Sequence, residues 1–205
     1  MGLTAKQLKA SLDALGSIEP AFAKARKRIG DPEPRIRERG YETMLRAIVS
    51  QQVSIKAAAS ILAKVEAATG GIADPTNVVG TSDEDLRAAG LSRQKISYVK
   101  SLADEVISGR LDFENLPADD DEAIAAMTAV KGIGRWSAEV YLLFAEGRAD
   151  IWPAGDLAVQ IEVGRILGIE ERPTEKRIRE LAEAWRPHRG AAAIFAWHHR
   201  HVTPV

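Results

Sequence analysis

A Gly-Ile-Gly step at residues 132–134 is the feature of this sequence that most constrains its fold. It separates two helical patterns, one starting at the acidic run 119–121 and the other extending from about Arg135 to Glu146. Glycine allows a positive φ and carries no side chain, so the turn between the two helices can be very tight. The first N–H groups of the second helix have no partner within that helix and favour an anion. The step therefore predicts either a plain helix–turn–helix connection or a turn that grips a phosphate group.

The rest of the chain also has the pattern of helices. Apolar residues repeat at intervals of three and four, as in residues 41–49, and no strand-like alternation of useful length occurs. Ser82 and Thr174 are predicted to cap the starts of helices, and Gly147 and Gly168 to end them. The 205 residues suffice for one all-α domain, or for two intimate helical lobes. No apolar run is long enough to span a membrane and no signal-peptide pattern is present, so no membrane partner is predicted.

Composition excludes several kinds of site. The chain has no cysteine, which rules out disulfides, a thiolate zinc site and an iron–sulfur cluster. Its formal net charge is −1, whereas nucleic-acid-binding proteins are usually basic. Basic residues are concentrated in residues 24–39 and 172–201, which form either a phosphate-binding face or ordinary solvated helix surfaces. The run 198–201 contains three histidines, but no carboxylate is spaced to complete a metal site, so a solvated helix end is predicted there.

Asp156 ends a loop rich in proline and glycine, just before the helical pattern that begins at Leu157. Aspartate is a preferred N-cap, and this alone is sufficient to explain its position. A carboxylate in such a loop can also stabilise an oxocarbenium-like sugar cation or orient a water molecule, as in glycoside hydrolysis. The residues alone leave both interpretations open, with Asp150 as a weaker candidate for the second.

Several stretches of the chain, taken in order, resemble motifs of the helix-hairpin-helix (HhH-GPD) superfamily of base-excision DNA glycosylases. These stretches are residues 50–54, 131–139 and 150–156, and residues 185–189 together with Trp197. They extend over about residues 40 to 200. The most similar subgroup is the compact 3-methyladenine DNA glycosylase II type.

The resemblance implies a fold and an activity. The fold is a single glycosylase domain over residues 1–205, with two helical lobes, a cleft between them, and the first and last helices in one lobe. Its helix-hairpin-helix covers about residues 119–146 and its catalytic loop residues 147–156. The activity is that of a monofunctional DNA glycosylase of base excision repair. Such an enzyme flips out alkylated purines such as 3-methyladenine and hydrolyses their N-glycosidic bond.

The resemblance also assigns the chemistry. Asp156 stands where the superfamily has its catalytic aspartate, and this position favours the catalytic role over a plain N-cap. Related glycosylase/lyases have a lysine directly after the Gly-x-Gly-Arg stretch, where this chain has Trp136. Tryptophan cannot form the Schiff base that strand cleavage requires. The implied enzyme is therefore a hydrolase without lyase activity.

Base and DNA contacts follow from the same motifs. The implied base pocket consists of Trp136, Val140, Trp152 and Trp197. Such a pocket of indoles and small aliphatics has few polar groups to read a base edge. Core packing is the alternative for each tryptophan, and is our prediction for Trp185, which shares an apolar helical stripe. The implied DNA wedge is Gln51 and Gln52, for which a polar helix junction is the alternative.

The hairpin itself is implied to bind DNA phosphate. The residues with this role are Lys131, Gly132, Ile133, Gly134, Arg135 and Ser137. The superfamily also binds a monovalent cation, Na⁺ or K⁺, through hairpin carbonyls that correspond to those of Thr128, Val130 and Ile133. This ion would be structural, and no other cofactor is expected.

The expected partner is double-stranded DNA containing damaged bases, bound by a monomer, in the nucleoid-associated cytoplasm if the chain is bacterial. Two alternatives remain: a glycosylase for a deaminated or mispaired base, and a non-catalytic helix-hairpin-helix DNA-binding module. The sequence leaves open the preference among 3-methyladenine, 3-methylguanine, 7-methylguanine, 1-methyladenine and hypoxanthine.

Overall fold

The computed structural model describes residues 2–203, and these residues form helices and no strand. The α-helices are α1 (Ala5–Ile18), α2 (Pro20–Ile29), α3 (Tyr41–Ser50), α4 (Ile55–Thr69), α5 (Pro75–Gly80), α6 (Asp83–Ala88), α7 (Arg93–Ile107), α8 (Asp120–Thr128), α9 (Arg135–Tyr141), α10 (Leu157–Leu167), α11 (Glu175–Ala182) and α12 (Arg189–Val202). A π-helical turn at Leu142–Glu146 extends α9, and a 3₁₀ turn at Glu183–Trp185 extends α11. The all-α prediction is confirmed. Over residues 2–203, none of these helices combines the length and apolarity that crossing a membrane requires.

Helix boundaries follow local chemistry. The hydroxyl of Ser82 accepts the N–H of Asp85 at the start of α6, and the hydroxyl of Thr174 accepts that of Arg177 at the start of α11. These bonds satisfy amides that have no partner within the helix. Gly147 and Gly168 end their helices in the left-handed conformation, as predicted.

The chain divides into two compact units. The terminal unit consists of Met1–Arg37 and Glu139–Val205, and the central unit of Glu38–Ala138. The first and last helices share the terminal unit, where α1 packs against α12. This agrees with what the resemblance implies for those helices, whereas the cleft stays a prediction.

The core of the terminal unit is built on aromatic rings and on a helix of small residues. Phe22 packs edge-on against Trp185, with ring centroids 5.2 Å apart, and against Phe195 at 5.9 Å. Trp185 is therefore in the core, as predicted. In α12, residues 190–196 are all buried, and a Cβ on Gly190 would lie 2.6 Å from the carbonyl oxygen of Ala149. The start of α12 can thus lie directly against the chain that leads into the loop before Asp156.

A buried carboxylate links α10 to α12 in the same unit. Glu162 is fully buried, and its Oε2 lies 2.8 Å from Nδ1 of His199. Its Oε1 accepts bonds from Arg165 at 3.0 Å and from Arg200 at 3.4 Å. A buried carboxylate is tolerated only when it is paired in this way.

We expect Glu162→Ala to lower the free energy of unfolding by about 2–3 kcal/mol, because the largely buried imidazole of His199 loses its hydrogen-bond partner. Glu180→Ala is the matched control, since its bond to Arg177 is 3.5 Å long and both side chains are at least half exposed. That change should cost less than about 1 kcal/mol. Urea unfolding measures both, and equal losses would contradict a structural role for Glu162.

The central unit is organised around α3 and α7. Helix α3 packs against α4 and α7, and α7 also contacts α5 and α6. Leu45, Ile48 and Val49 of α3 and Val99 and Leu102 of α7 are fully buried at the centre of this unit. Residues 51–54 connect α3 to α4, and residues 129–134 connect α8 to α9.

Candidate functional site

The hairpin between α8 and α9 is a tight turn that requires glycine at one position. Gly132 has φ of +91°, and the N–H of Ile133 donates to the carbonyl of Val130 at 3.1 Å. A Cβ on Gly132 would lie 2.2 Å from Cγ of Tyr98, a distance that no side-chain carbon can adopt. Both the backbone conformation and the ring of Tyr98 therefore demand glycine at residue 132.

Gly134 differs from Gly132 in both respects. Its φ lies outside the left-handed region, and no atom lies within 4 Å of the position that its Cβ would occupy. Its carbonyl accepts the N–H of Ala138 at 3.1 Å, so it precedes the first residue of α9. The fold accommodates a side chain here, so the turn itself requires glycine only at residue 132.

The segment between α3 and α4 contains the predicted wedge residues, which have different environments. Gln52 is exposed and has φ of +55°, a conformation that residues other than glycine rarely adopt. Gln51 is half-buried, and its Nε2 donates to the carbonyl of Gly132 at 3.2 Å. The side chain of Gln51 is therefore held by the hairpin, and the wedge role of both glutamines stays a prediction.

The remaining hairpin residues present a mixture of exposed and paired groups. Lys131 is exposed, and its backbone N–H donates to Oγ of Ser101 at 3.2 Å. Arg135 is half-exposed and bonds to Asp121 at 3.0 Å, while Ser137 is half-buried. A ligand phosphate at Arg135 would therefore compete with a carboxylate of this chain.

Asp156 is the N-cap of α10. Its Oδ1 accepts the N–H of Val159 at 3.0 Å, and its own N–H donates to the carbonyl of Pro153 at 2.9 Å. The side chain is half-buried. One helical turn further on, Nε2 of the buried Gln160 donates to the carbonyl of Ala154 at 2.8 Å. The loop before Asp156 is therefore fixed by hydrogen bonds from the helix that it starts.

Asp150, the weaker candidate, is fully engaged in ion pairs. Arg189 donates to both of its carboxylate oxygens, from Nε and Nη2, at 2.9 Å each, and Arg186 donates at 2.7 Å. The same two arginines bond to Glu183, and the bond from Arg186 lowers the pKa of the Glu183 carboxyl from its ordinary value. Asp150 thus anchors the start of the loop to Arg186 and to the first residue of α12, Arg189, which makes it structural.

The predicted base-pocket residues are in three different environments. Trp136 is 50 % exposed, whereas Val140 is buried. Trp197 is half-buried and packs on Phe144, with ring centroids 5.6 Å apart and planes tilted by 33°. Trp152 is only 3 % exposed and packs edge-on against Trp185 at 5.7 Å. Trp152 therefore packs in the core of the terminal unit, and its place in a base-pocket wall stays a prediction.

A pocket of about 290 Å³ lies beside Trp197 and Phe144 within the terminal unit. Its other lining residues are Pro32, Glu33, Arg35, Ile194, His198 and His201. Half of the lining is ionisable, whereas the sequence predicts a base pocket with few polar groups. Sequence reasoning also missed Phe144, which lies in the π-helical turn that extends α9.

Arginines in both basic segments pair with acids of the same chain. Arg26 bonds to both Asp13 and Asp31. Six arginines between residues 165 and 200 also bond to carboxylates: Arg165, Arg177, Arg179, Arg186, Arg189 and Arg200. This pairing accounts for much of the basic residue content near the C-terminus. Among residues 2–203, no three His, Asp or Glu side chains are grouped to hold a metal ion.

Comparisons with known proteins agree with this geometry. A family model described as HhH-GPD superfamily base excision DNA repair protein matches residues 45–187. DNA-3-methyladenine glycosylase 1 of Schizosaccharomyces pombe is 34 % identical over 163 residues, which cover 77 % of this chain and 71 % of that protein. DNA-3-methyladenine glycosylase 2 of Escherichia coli is 27 % identical, covering 83 % of this chain and 63 % of that protein.

A solved structure gives a similar result at the level of the fold. The crystal structure of the DNA-3-methyladenine glycosidase of Bacillus halodurans superposes with a TM-score of 0.84 at 32 % identity, covering 91 % of this chain and 87 % of that one.

Proposed function

The chain belongs to the HhH-GPD superfamily of base excision DNA repair proteins, and on this premise we propose that it is an alkylbase DNA glycosylase without lyase activity. It acts as a monomer on duplex DNA that contains damaged bases. The observation that carries the proposal is Asp156, placed at the start of α10 by a loop that Gln160 and Asp150 hold in position. The similar S. pombe 3-methyladenine DNA glycosylase, at 30 % identity and a TM-score of 0.77 over 92 % of this chain and 95 % of that one, was solved in complex with abasic DNA.

The carboxylate of Asp156 supplies the charge that the reaction needs. Breaking an N-glycosidic bond leaves positive charge on the sugar, and a fixed carboxylate stabilises that charge or orients the attacking water. The cap supports this role, because the hydrogen bond from the N–H of Val159 fixes the position of one carboxylate oxygen. A capping aspartate is thereby a pre-positioned one.

Asp156→Asn should abolish base excision and leave the fold and DNA binding largely intact. Asparagine caps a helix about as well as aspartate, but it lacks the charge that stabilises the sugar cation. We expect the single-turnover rate on 3-methyladenine DNA to fall by roughly 10²- to 10³-fold or more. Asp74→Asn changes a second capping aspartate, at the start of α5, and should leave the rate unchanged. An Asp156→Asn rate within about tenfold of wild type would refute the assignment.

Trp136 stands in place of the lysine that a glycosylase/lyase requires, so the enzyme releases the base by hydrolysis alone. Borohydride reduction during turnover on damaged DNA should therefore trap no covalent protein–DNA adduct. A glycosylase/lyase on its own substrate serves as the positive control. An adduct with this chain would show that another amine, with Lys131 the first to test, forms the imine.

The hairpin is proposed to hold a DNA phosphate against its backbone amides, with Gly134 as the point of close approach. Gly134→Val should keep the fold, because the site has room for a side chain, yet weaken binding to abasic-site DNA by roughly tenfold or more. Gly80→Val is the matched control, since a Cβ there also meets no atom within 4 Å. Gly132→Val should instead destabilise the protein. Unchanged DNA affinity in Gly134→Val would make the hairpin a plain connector.

We also propose that Na⁺ or K⁺ binds the carbonyl oxygens of Thr128, Val130 and Ile133. Backbone carbonyls are the hard oxygen ligands that such ions accept. The carbonyl of Val130 already accepts one hydrogen bond, and its second lone pair remains suited to a cation. The ion would supply positive charge to the hairpin where a DNA phosphate is bound.

The substrate class follows from charge and leaving-group quality. Cationic N-alkylated purines stack well on an indole such as Trp136 or Trp197, and they leave as neutral bases.

One observation favours a second candidate function, a glycosylase that reads the edges of neutral lesions. Half of the residues that line the pocket beside Trp197 are ionisable and could hydrogen-bond to a base edge.

We expect 3-methyladenine to be released much faster than uracil from matched duplexes in competition. The physical reason is that the first base is charged and weakly bonded, whereas the second is neutral and a poorer leaving group. Released bases are quantified by chromatography. Faster uracil release would replace the alkylbase proposal by the second candidate.

A further inference from the structure

One face of α7 contacts two separate segments of the central unit. These are the wedge loop, residues 50–54, which starts with the last residue of α3, and the hairpin, residues 130–134. Lys95, Tyr98 and Ser101 stand three residues apart on α7 and therefore share that face. Ser101 accepts the N–H of Lys131 in the hairpin at 3.2 Å. Lys95 donates from Nζ to the carbonyl of Val49 at 2.6 Å, directly before the wedge loop.

The two segments are also joined directly at Gly132. The ring of Tyr98 lies against one side of this residue, so closely that a Cβ would overlap it. Nε2 of Gln51 donates to the carbonyl of the same residue at 3.2 Å. The hydroxyl of Tyr98 is in turn bonded to Nε2 of Gln94, which orients the ring.

Ordinary helix capping explains only part of this arrangement. A lysine near the last carbonyls of a helix is common, and Lys95 does serve α3 in that way. Lys95 is, however, half-buried, and this burial lowers the pKa of its ammonium group from the ordinary value. The ammonium group therefore loses part of its hydration in order to reach the carbonyl of Val49. The contacts of Lys95, Gln51 and Ser101 are all made to backbone atoms. Contacts of this kind fix the path of the chain and not merely the position of a side chain.

We propose that Gln51, Lys95 and Tyr98 form a bracket that sets the spacing between the wedge loop and the hairpin before DNA binds. They are positioning residues, and Gln51 has this role instead of entering the duplex. The inference rests on the proposed function, in which the hairpin holds a phosphate, and on the predicted wedge role of Gln52, whose side chain would fill the gap left by a flipped base. Fixing the distance between these two DNA contacts in advance removes an ordering cost from binding.

The bracket is tested first in the free protein. Because the chain has no cysteine, Val53→Cys and Lys131→Cys provide two unique sites for spin labels on exposed positions of the wedge loop and the hairpin. Dipolar broadening then reports the distribution of distances between the labels. We expect a narrow distribution in the parent and a broad one after Gln51→Leu or Lys95→Met. Lys64→Met, at an exposed lysine on α4, should leave it narrow.

DNA binding is tested with the unlabelled variants. Gln51→Leu and Lys95→Met should each raise the Kd for an abasic-site duplex by roughly tenfold, the equilibrium effect of losing one typical hydrogen bond. The single-turnover rate at saturating DNA should stay within about threefold of wild type, because neither variant alters Asp156. Lys95→Arg should restore the wild-type Kd, since a guanidinium can still donate to the carbonyl of Val49. A bulk loss of stability would not give this separation of Kd from rate.

Two results would overturn the bracket: an unchanged distance distribution in both variants, or a Kd within about twofold of wild type despite a broadened distribution. Failure of the proposed function is distinguishable, because the label measurement uses neither DNA nor a damaged base. A wild-type chain that releases no alkylated base would refute the glycosylase proposal, while the label distances would still decide the bracket.

Discussion

The contact between Gly132 and the ring of Tyr98 is the constraint on which the hairpin depends. The ring occupies the space that a side chain at residue 132 would need, and the positive φ of this glycine reverses the chain there. Helix α9 can start at Arg135 because the chain has turned within the few residues before it. The same approach brings the carbonyl of Gly132 within reach of Gln51. A single pair of residues thus determines where one helix starts and how a neighbouring loop is held.

In the terminal unit, the loop before Asp156 is likewise held in place by contacts from other parts of the chain. A loop of proline and glycine residues has few hydrogen bonds of its own, yet Asp156 must be held in a defined position. The loop is fixed at its start by the ion pairs of Asp150 with Arg186 and Arg189, and near its end by the bond of Gln160 to Ala154. Capping and catalysis are therefore compatible uses of one aspartate, and the choice between them that the sequence poses is not exclusive. The formal net charge of −1 has a separate cause, since 28 basic residues are balanced by 29 acidic ones.

Local signals were predictable from the sequence, and tertiary environments were not. Helix caps such as Ser82 and Thr174, the all-α fold and the superfamily depend on short motifs, and all are confirmed. The packing of Trp152 against Trp185 and the bond of Gln51 to Gly132 join residues distant in sequence, so motif position alone does not predict these contacts. The π-helical turn at Leu142–Glu146, which contains Phe144, also has no signal in the apolar periodicity. Its wider turn shifts which side chains share a face, so the neighbours of Trp197 could not be read from helical spacing.

Gly132 and Gly134 are expected to be retained for two different reasons, because only Gly134 has open space around it. At residue 132 the fold itself excludes every other amino acid, so any descendant that folds must retain glycine there. At residue 134 the protein imposes no such demand, and only a molecule outside it can. In a lineage that lost DNA binding, glycine would be retained at residue 132, whereas residue 134 would be free to vary. The two positions together would then show that the fold was inherited and that DNA binding was lost.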